Sequence, residues 1–282
     1  MFVRVYRSWT APALWLLALL FLALGPLLSP VAHAQDKSLV WERFDVSIEV
    51  NGDGSFDVTE RQTIRFTEGV FTSGYRDLPI RNFGYADNWA ITDGRGNVYR
   101  QTSSGLGEPY TFSVDQRGGS YAINWYFPPT SNTAETYSLS YTVHDGLRFY
   151  EEGDQLWWKA IFGDRSFPVL DGEVRVAVPA GATVQEWAAY INGVDARGSA
   201  VAQLVGNQAV VFALEERLDP GEEFEVRVEF TPNIVDGAPQ PWQAAADAAE
   251  AERQEALAFR QRWGPAATLG LCALGLLFTF GG

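Results

Sequence analysis

Glu60 is the residue hardest to place without a partner. It shares the parity of Phe56, Val58, Ile64 and Phe66 in an alternating run, so a carboxylate falls on an apolar face. A buried charge needs a countercharge. The nearest strong candidate is Arg76, within Tyr75-Arg76-Asp77-Leu78-Pro79. These residues predict a partly buried Glu60–Arg76 ion pair fixing two neighbouring strands, with Asp77 at a packing or interface position. Leu156-Trp157-Trp158-Lys159-Ala160-Ile161 poses a second question. On a strand, Trp157 and Trp158 point to opposite faces, so at most one enters a given core. The other covers a second layer, a subdomain contact or a ligand platform. Packing is the preferred reading, because tryptophan is usually largely buried.

Other candidates for chemistry are thin. Histidine occurs only at His33 and His144, and His33 lies in the leader described below. A Ser-His-Asp or Cys-His site would therefore need His144 as its base. Its neighbour Asp145 points away from it on a strand. A histidine metal site lacks a second histidine. Asn51-x-Asp53-x-Ser55-x-Asp57 imitates the start of a calcium loop, but Phe56 stands where glycine is required and Gln62 where glutamate is required. A tight hairpin explains the same residues. Carboxylates are plentiful and a glycosidase needs only two, but sequence does not pair them. The single cysteine, Cys272, excludes an intrachain disulfide and cysteine-based zinc or redox sites. No catalytic residue, cofactor or metal is expected.

The 282 residues carry a net charge of −14. Residues 1–35 hold Arg4 and Arg7 and no acid, so the remainder is more acidic still. That excludes nucleic acid as a partner and an electrostatic grip on anionic lipid.

The elements that must position these side chains are strands. Phe44, Val46, Ile48 and Val50 alternate with polar residues, as do Tyr121 to Phe127, Tyr137 to Val143, Val174 to Val178 and Phe224 to Phe230. Asn51-Gly52-Asp53-Gly54, Asp93-Gly94, Arg117-Gly118-Gly119 and Asp219-Pro220-Gly221 mark turns between them. The pattern predicts an all-β region of antiparallel, Ig-like β-sandwich type. A polar, turn-rich stretch from His144 to Asp154 suggests two packed subdomains, residues 35–150 and 151–236.

The ends differ from this middle. Arg4 and Arg7, an apolar run from Ala11 to Leu28 and Ala32-His33-Ala34 have the form of a secretion signal, residues 1–34, cleaved before Gln35. Residues 240–263 are rich in Ala, Glu, Gln and Arg and have no broad apolar face, which reads as an exposed stalk helix. Gly264-Pro265 is expected to kink or break it. Residues 265–282 are apolar and uncharged, and as a helix would reach about 27 Å, close to a bilayer core. They read as a transmembrane helix, truncated if the chain is part of a longer membrane protein.

Asp53-Gly54-Ser55-Phe56-Asp57-Val58-Thr59-Glu60, Tyr75-Arg76-Asp77-Leu78-Pro79, Leu156-Trp157-Trp158-Lys159 and Val174-Arg175-Val176-Ala177-Val178-Pro179 occur in an order that resembles the bacterial membrane proteins known as domain of unknown function 2207. The resemblance spans roughly residues 38–235. It implies a domain outside the cytoplasm, usually followed by further membrane segments, and brings no catalytic residues. The expectation is a membrane-anchored, extracytoplasmic module, at the periplasm or cell surface, that binds an envelope protein or glycan and touches lipid through its C-terminal helix. The alternatives are a cell-wall glycan hydrolase using paired carboxylates and a structural ectodomain of a multi-pass membrane protein.

Overall fold

A computed structural model of the chain describes residues 37–103 and 107–279. The expected signal, residues 1–34, lies outside them. The described residues are mostly β and form three sheets. Numbered in chain order, the first has the strand order β14 (Ala200–Val205), β15 (Ala209–Leu214), β11 (Gly172–Ala177), β1 (Ser38–Val50), β2 (Phe56–Glu68), β8 (Thr133–His144), β4 (Tyr85–Asp93). The second runs β13 (Val194–Asp195), β12 (Val184–Ile191), β16 (Phe224–Phe230), β10 (Asp154–Ile161), β9 (Arg148–Phe149). The third runs β3 (Phe71–Pro79), β7 (Ser120–Thr130), β6 (Thr111–Arg117), β5 (Arg100–Gln101).

Register turns the alternation of each strand into one apolar face. Val46 pairs with Val174 on one side and Glu60 on the other, and Glu60 pairs with Leu139. Side chains of one parity across β15, β11, β1, β2 and β8 therefore share a face of the seven-stranded sheet. Phe212, Val174, Phe44, Phe56, Val58 and Tyr141 on it are buried. Both smaller sheets pack on this face. Phe56 meets Trp158 of β10 edge-on at 5.1 Å, and Phe66 meets Phe127 of β7 at 5.8 Å.

Two expectations about strands need correction. Pairing is not wholly antiparallel: β1 with β11 and β5 with β6 run parallel, so the first and third sheets are mixed and depart from an all-antiparallel Ig-like plan. Alternation has the same period in either direction, so it carries no sign of this. The turn-rich stretch near residue 150 also does not divide the sheets. β11, β14 and β15 follow it in sequence yet join β1, β2, β4 and β8 in one sheet. A local turn signal reports where the chain bends, not which strand it will pair with.

One helix, α1 (Pro241–Thr279), follows the strands. It runs without a break through Gly264 and Pro265. A proline removes one bond of the helical ladder, and the bonds on either side keep both halves in register. Among the described residues no helix is long and apolar enough to cross a membrane, and residues 280–282 of the expected anchor lie outside them. The start of α1 is mostly exposed, as expected of a stalk, but one side of it is fastened to the β layers. Gln243 is buried, accepts from Phe149 N at 3.1 Å through Oε1, and donates to Phe149 O at 3.1 Å through Nε2. This side-chain amide extends the backbone pairing at the edge strand β9. Asp247 accepts from Arg148 at 2.9 Å and from the Tyr150 hydroxyl at 2.8 Å. Trp242 Nε1 donates to Asp145 O at 3.0 Å.

Candidate functional site

Two polar clusters sit close to each other in the fold. The first lies between the layers. Glu60 projects from β2 and Arg76 from β3, with side chains 1% and 3% exposed and Arg76 Nε 3.2 Å from Glu60 Oε1. The pair is thus fully rather than partly buried. It joins two sheets across the core, because β3 pairs with β7 and not with β2. Tyr141 donates to Glu60 Oε1 at 3.0 Å and Gln62 Nε2 to Oε2 at 3.3 Å, while Trp41 Nε1 donates to Gln62 Oε1 at 3.0 Å. Arg76 also donates to the Asp77 carbonyl, and its guanidinium lies 4.3 Å from the centre of the Phe162 ring. Burial works against the Arg76 charge, but Glu60, Tyr141 and Asp164 together outweigh it and raise the pKa. Burial, and then the neighbouring Glu60 charge, push the Tyr141 hydroxyl well above its ordinary pKa.

The second cluster lines a cleft of about 620 Å³ between the end of β3, the outer face of the five-stranded sheet and α1. Strand parity sends Trp158 inward to Phe56 and turns Trp157, Lys159 and Glu225 outward. The outer face is covered in part by Ala246, Ala249 and Arg253 of the helix, which also line the cleft. Tyr190 of β12 stacks on Trp157 at 5.6 Å, and the Arg148 guanidinium lies 4.5 Å from its ring centre. Lys159 Nζ is 2.5 Å from Glu223 Oε1. Glu225 is 8% exposed, and its Oε2 has no hydrogen-bond partner. The indole N–H groups of Trp157 and Trp158 are buried, the first beside the Glu225 carboxyl and the second beside the Tyr141 hydroxyl. Burial raises the Glu225 pKa, and Glu223 adds to the rise. Lys159, the nearby Trp157 indole and Arg253 offset part of it.

The sequence matches one family. The model of the predicted membrane protein (DUF2207) N-terminal domain matches residues 41–230. The chain belongs to this family. No curated protein matches it. Leukotriene A4 hydrolase from Saccharomyces cerevisiae is similar at 8% identity and a TM-score of 0.42, over 73% of this chain and 33% of that one. An M1 zinc metallopeptidase from Deinococcus radiodurans is similar at 14% identity and a TM-score of 0.38, over 68% and 43%. The DUF2207 chain spans less than half the length of these proteins. Likeness at this level carries no argument about activity.

Arg76, Asp77, Trp157 and Trp158 of the DUF2207 chain all line the cleft, with Glu60 behind Arg76. His144 stands elsewhere, stacked on Tyr85 at 4.3 Å with Nε2 2.9 Å from Asp87 Oδ1. The oxygens of the calcium-like loop serve its own turn. Asp53 Oδ1 accepts from Ser55 N at 3.0 Å and from Ser55 Oγ at 2.6 Å, and Asn51 Nδ2 donates to Asp57 at 3.2 Å. Among the described residues no group of three metal-ligating side chains is assembled. Sequence reasoning missed Glu225 and Arg148. Glu225 alternates with Phe224 and Val226, so it reads as one more wet-face acid. Nothing local signals that a distant helix will cover that face.

Proposed function

We propose that this DUF2207 chain is an extracytoplasmic binding module. In this reading residues 1–34 export it, the β layers form a sandwich outside the cytoplasm, and the apolar C-terminal stretch 265–282 holds it at the membrane. The cleft beside α1 receives another envelope component. One observation supports this above the rest: a cleft of about 620 Å³, within the range of small-ligand sites, is lined by charged and aromatic side chains, Arg148, Trp157, Lys159 and Glu225 among them. Those groups lie between the sheet and the helix that leads toward the proposed anchor. The test is done on intact cells. Protease added outside should digest the β region, and the mass of the extracted protein should lack residues 1–34. A photocross-linker at Lys159, beside the cleft, should give an adduct that the same group at Val201 of β14 does not. A β region shielded from external protease, or equal adducts at both positions, rejects the reading.

A glycan hydrolase is the second reading. It is favoured by the raised pKa of Glu225, a property needed by a carboxyl that protonates a glycosidic oxygen. Release of reducing ends from cell-wall glycan by the full chain, lost in Glu225→Gln, decides for it. No release by the wild type decides for binding.

A further inference from the structure

β3 is an edge strand. Among the described residues it pairs with β7 alone, and its register from Ser73 to Pro79 is unbroken. Just past its end, Ile80 N donates to Gly119 O. Alternation in an antiparallel ladder then turns the N–H and C=O of Gly74 and Arg76 toward β7, and those of Ser73 and Tyr75 away from it. Tyr126 agrees: it stands opposite Ser73 and accepts from Tyr110 N on the other side of β7. Among the described residues no strand or loop backbone bonds to the outward groups of Ser73 and Tyr75. Both residues are exposed, Tyr75 to 61%. Natural edge strands are commonly blunted by a bulge or by charge. In β4 the register slips between Asp87 and Ala90, with an aspartate at the slip. From Ser73 to Tyr75, β3 has neither device.

Two hollows meet along this edge. Ser73, Gly74 and Tyr75 line an apolar pocket of about 230 Å³, walled by Trp41, Ile64, Phe66, Phe127 and Phe162. Arg76 to Pro79 line the cleft, and Phe162 and Asp164 line both. The pocket is smaller than the roughly 300 Å³ at which sites for whole small ligands begin. It is larger than an apolar void of about 150 Å³ that takes benzene. One large side chain fits that range. Gly74 adds nothing to fill it, and the Trp125 ring lies where a Cβ on Gly74 would stand. A lipid tail would occupy the pocket and leave the outward backbone groups unmet. A glycan would meet those groups and leave the pocket empty. A strand added to the edge meets both, with main-chain bonds for affinity and a side-chain pocket for specificity.

We infer that an extended segment of a partner polypeptide adds to the free edge of β3, bonding to the backbone of Ser73 and Tyr75 and placing a leucine or phenylalanine side chain in the apolar pocket. On the added strand, the residue opposite Gly74 faces inward and its two neighbours face solvent. The segment continues past Arg76 into the cleft. This rests on the reading of the cleft as a binding site and names the class of its partner.

The experiment uses the purified full chain in phospholipid bilayer discs, titrated by fluorescence polarisation with labelled heptapeptides. The first has threonine at every position except a central leucine, and the second has a central alanine. Two more are the leucine peptide N-methylated at alternate residues, in one frame or the other. The leucine peptide should bind at least tenfold more tightly than the alanine peptide. Methylation in one frame should abolish binding, and in the other should leave it within threefold, because only one side of an added strand faces β3. Tyr75→Pro removes a donor that β7 does not use and should cost at least tenfold in affinity with the melting point kept. Ile64→Phe, which fills the pocket from β2, should erase the preference for leucine. Equal affinity for the leucine and alanine peptides, equal loss in both methylation frames, or no binding of the leucine peptide overturns the proposal. The methylation frames decide it even where a variant fails to fold. If no peptide binds while the Lys159 cross-linker gives its specific adduct, strand addition falls and the binding-module reading stands. If that adduct is also missing, both fall.

Discussion

Glu60 and Glu225 are both strand carboxylates less than a tenth exposed, one between the layers and one on the outer face beside α1. Glu60 has both oxygens hydrogen-bonded, by Arg76, Tyr141 and Gln62. Glu225 has an unpaired oxygen, and the nearest ammonium, that of Lys159, is turned to Glu223. A saturated buried charge is committed to the fold, and removing any member leaves the others stranded. An unsaturated one keeps its proton to higher pH, as Glu225 does. The same residue type is thus held by the fold in one place and open to titration in the other. What separates them is the count of donors around the carboxylate, not the burial.

The contrast can be broken most sharply at the inner pair. Arg76→Met should destabilise the full chain by about 3–5 kcal/mol in urea unfolding, since it leaves Glu60 buried and uncompensated. The double replacement Glu60→Leu with Arg76→Met should recover much of that loss, because no charge is then left alone. A single variant as stable as the wild type would show that water enters between the sheets. Tyr141→Phe comes next. It removes one donor to a charged acceptor and should cost about 1.5–3 kcal/mol.

Glu225→Gln should act in the opposite sense and with smaller size. The native carboxyl holds its proton more tightly than the unfolded one, whose ordinary pKa is 4.5. Between that value and the raised native one, the native state binds more protons, so stability falls as pH rises through the window. The variant escapes this loss and should melt higher than the wild type at pH 7. The gain should vanish below the ordinary carboxylate range. A melting point that falls at pH 7 would put Glu225 in the same class as Glu60. The smallest effect is expected at the helix clamp. Asp247→Asn weakens a partly exposed, screened pair with Arg148, and should cost about 0.2–1 kcal/mol. Hydrogen exchange should quicken in the first turns of α1 and stay unchanged in β2 and β8. Faster exchange throughout would mean that the helix supports the whole fold.

Much of this was legible in the sequence, and the part that was not has a common cause. Alternation around Phe44, Phe56, Tyr137 and Phe224 locates strands because burial on one face is a property of neighbouring residues. The same argument flagged Glu60 as a charge in need of a partner and sent Trp157 and Trp158 to opposite faces, where the structure has them. Direction of pairing and membership of a sheet are different. β1 meets β11 in parallel across more than a hundred residues of chain, and nothing near either strand encodes it. The helix also continues through Gly264-Pro265 without a break. Glu225 looked like a solvated acid until α1 and the Asn192-Gly193 hairpin met over its face, where the Arg253 guanidinium fills the space beside Gly193. Which residues face inward can be read from neighbouring positions, because the hydrophobic effect acts on a local period. Which buried carboxylate is satisfied is settled by folding, because donors arrive from strands and helices far apart in the chain.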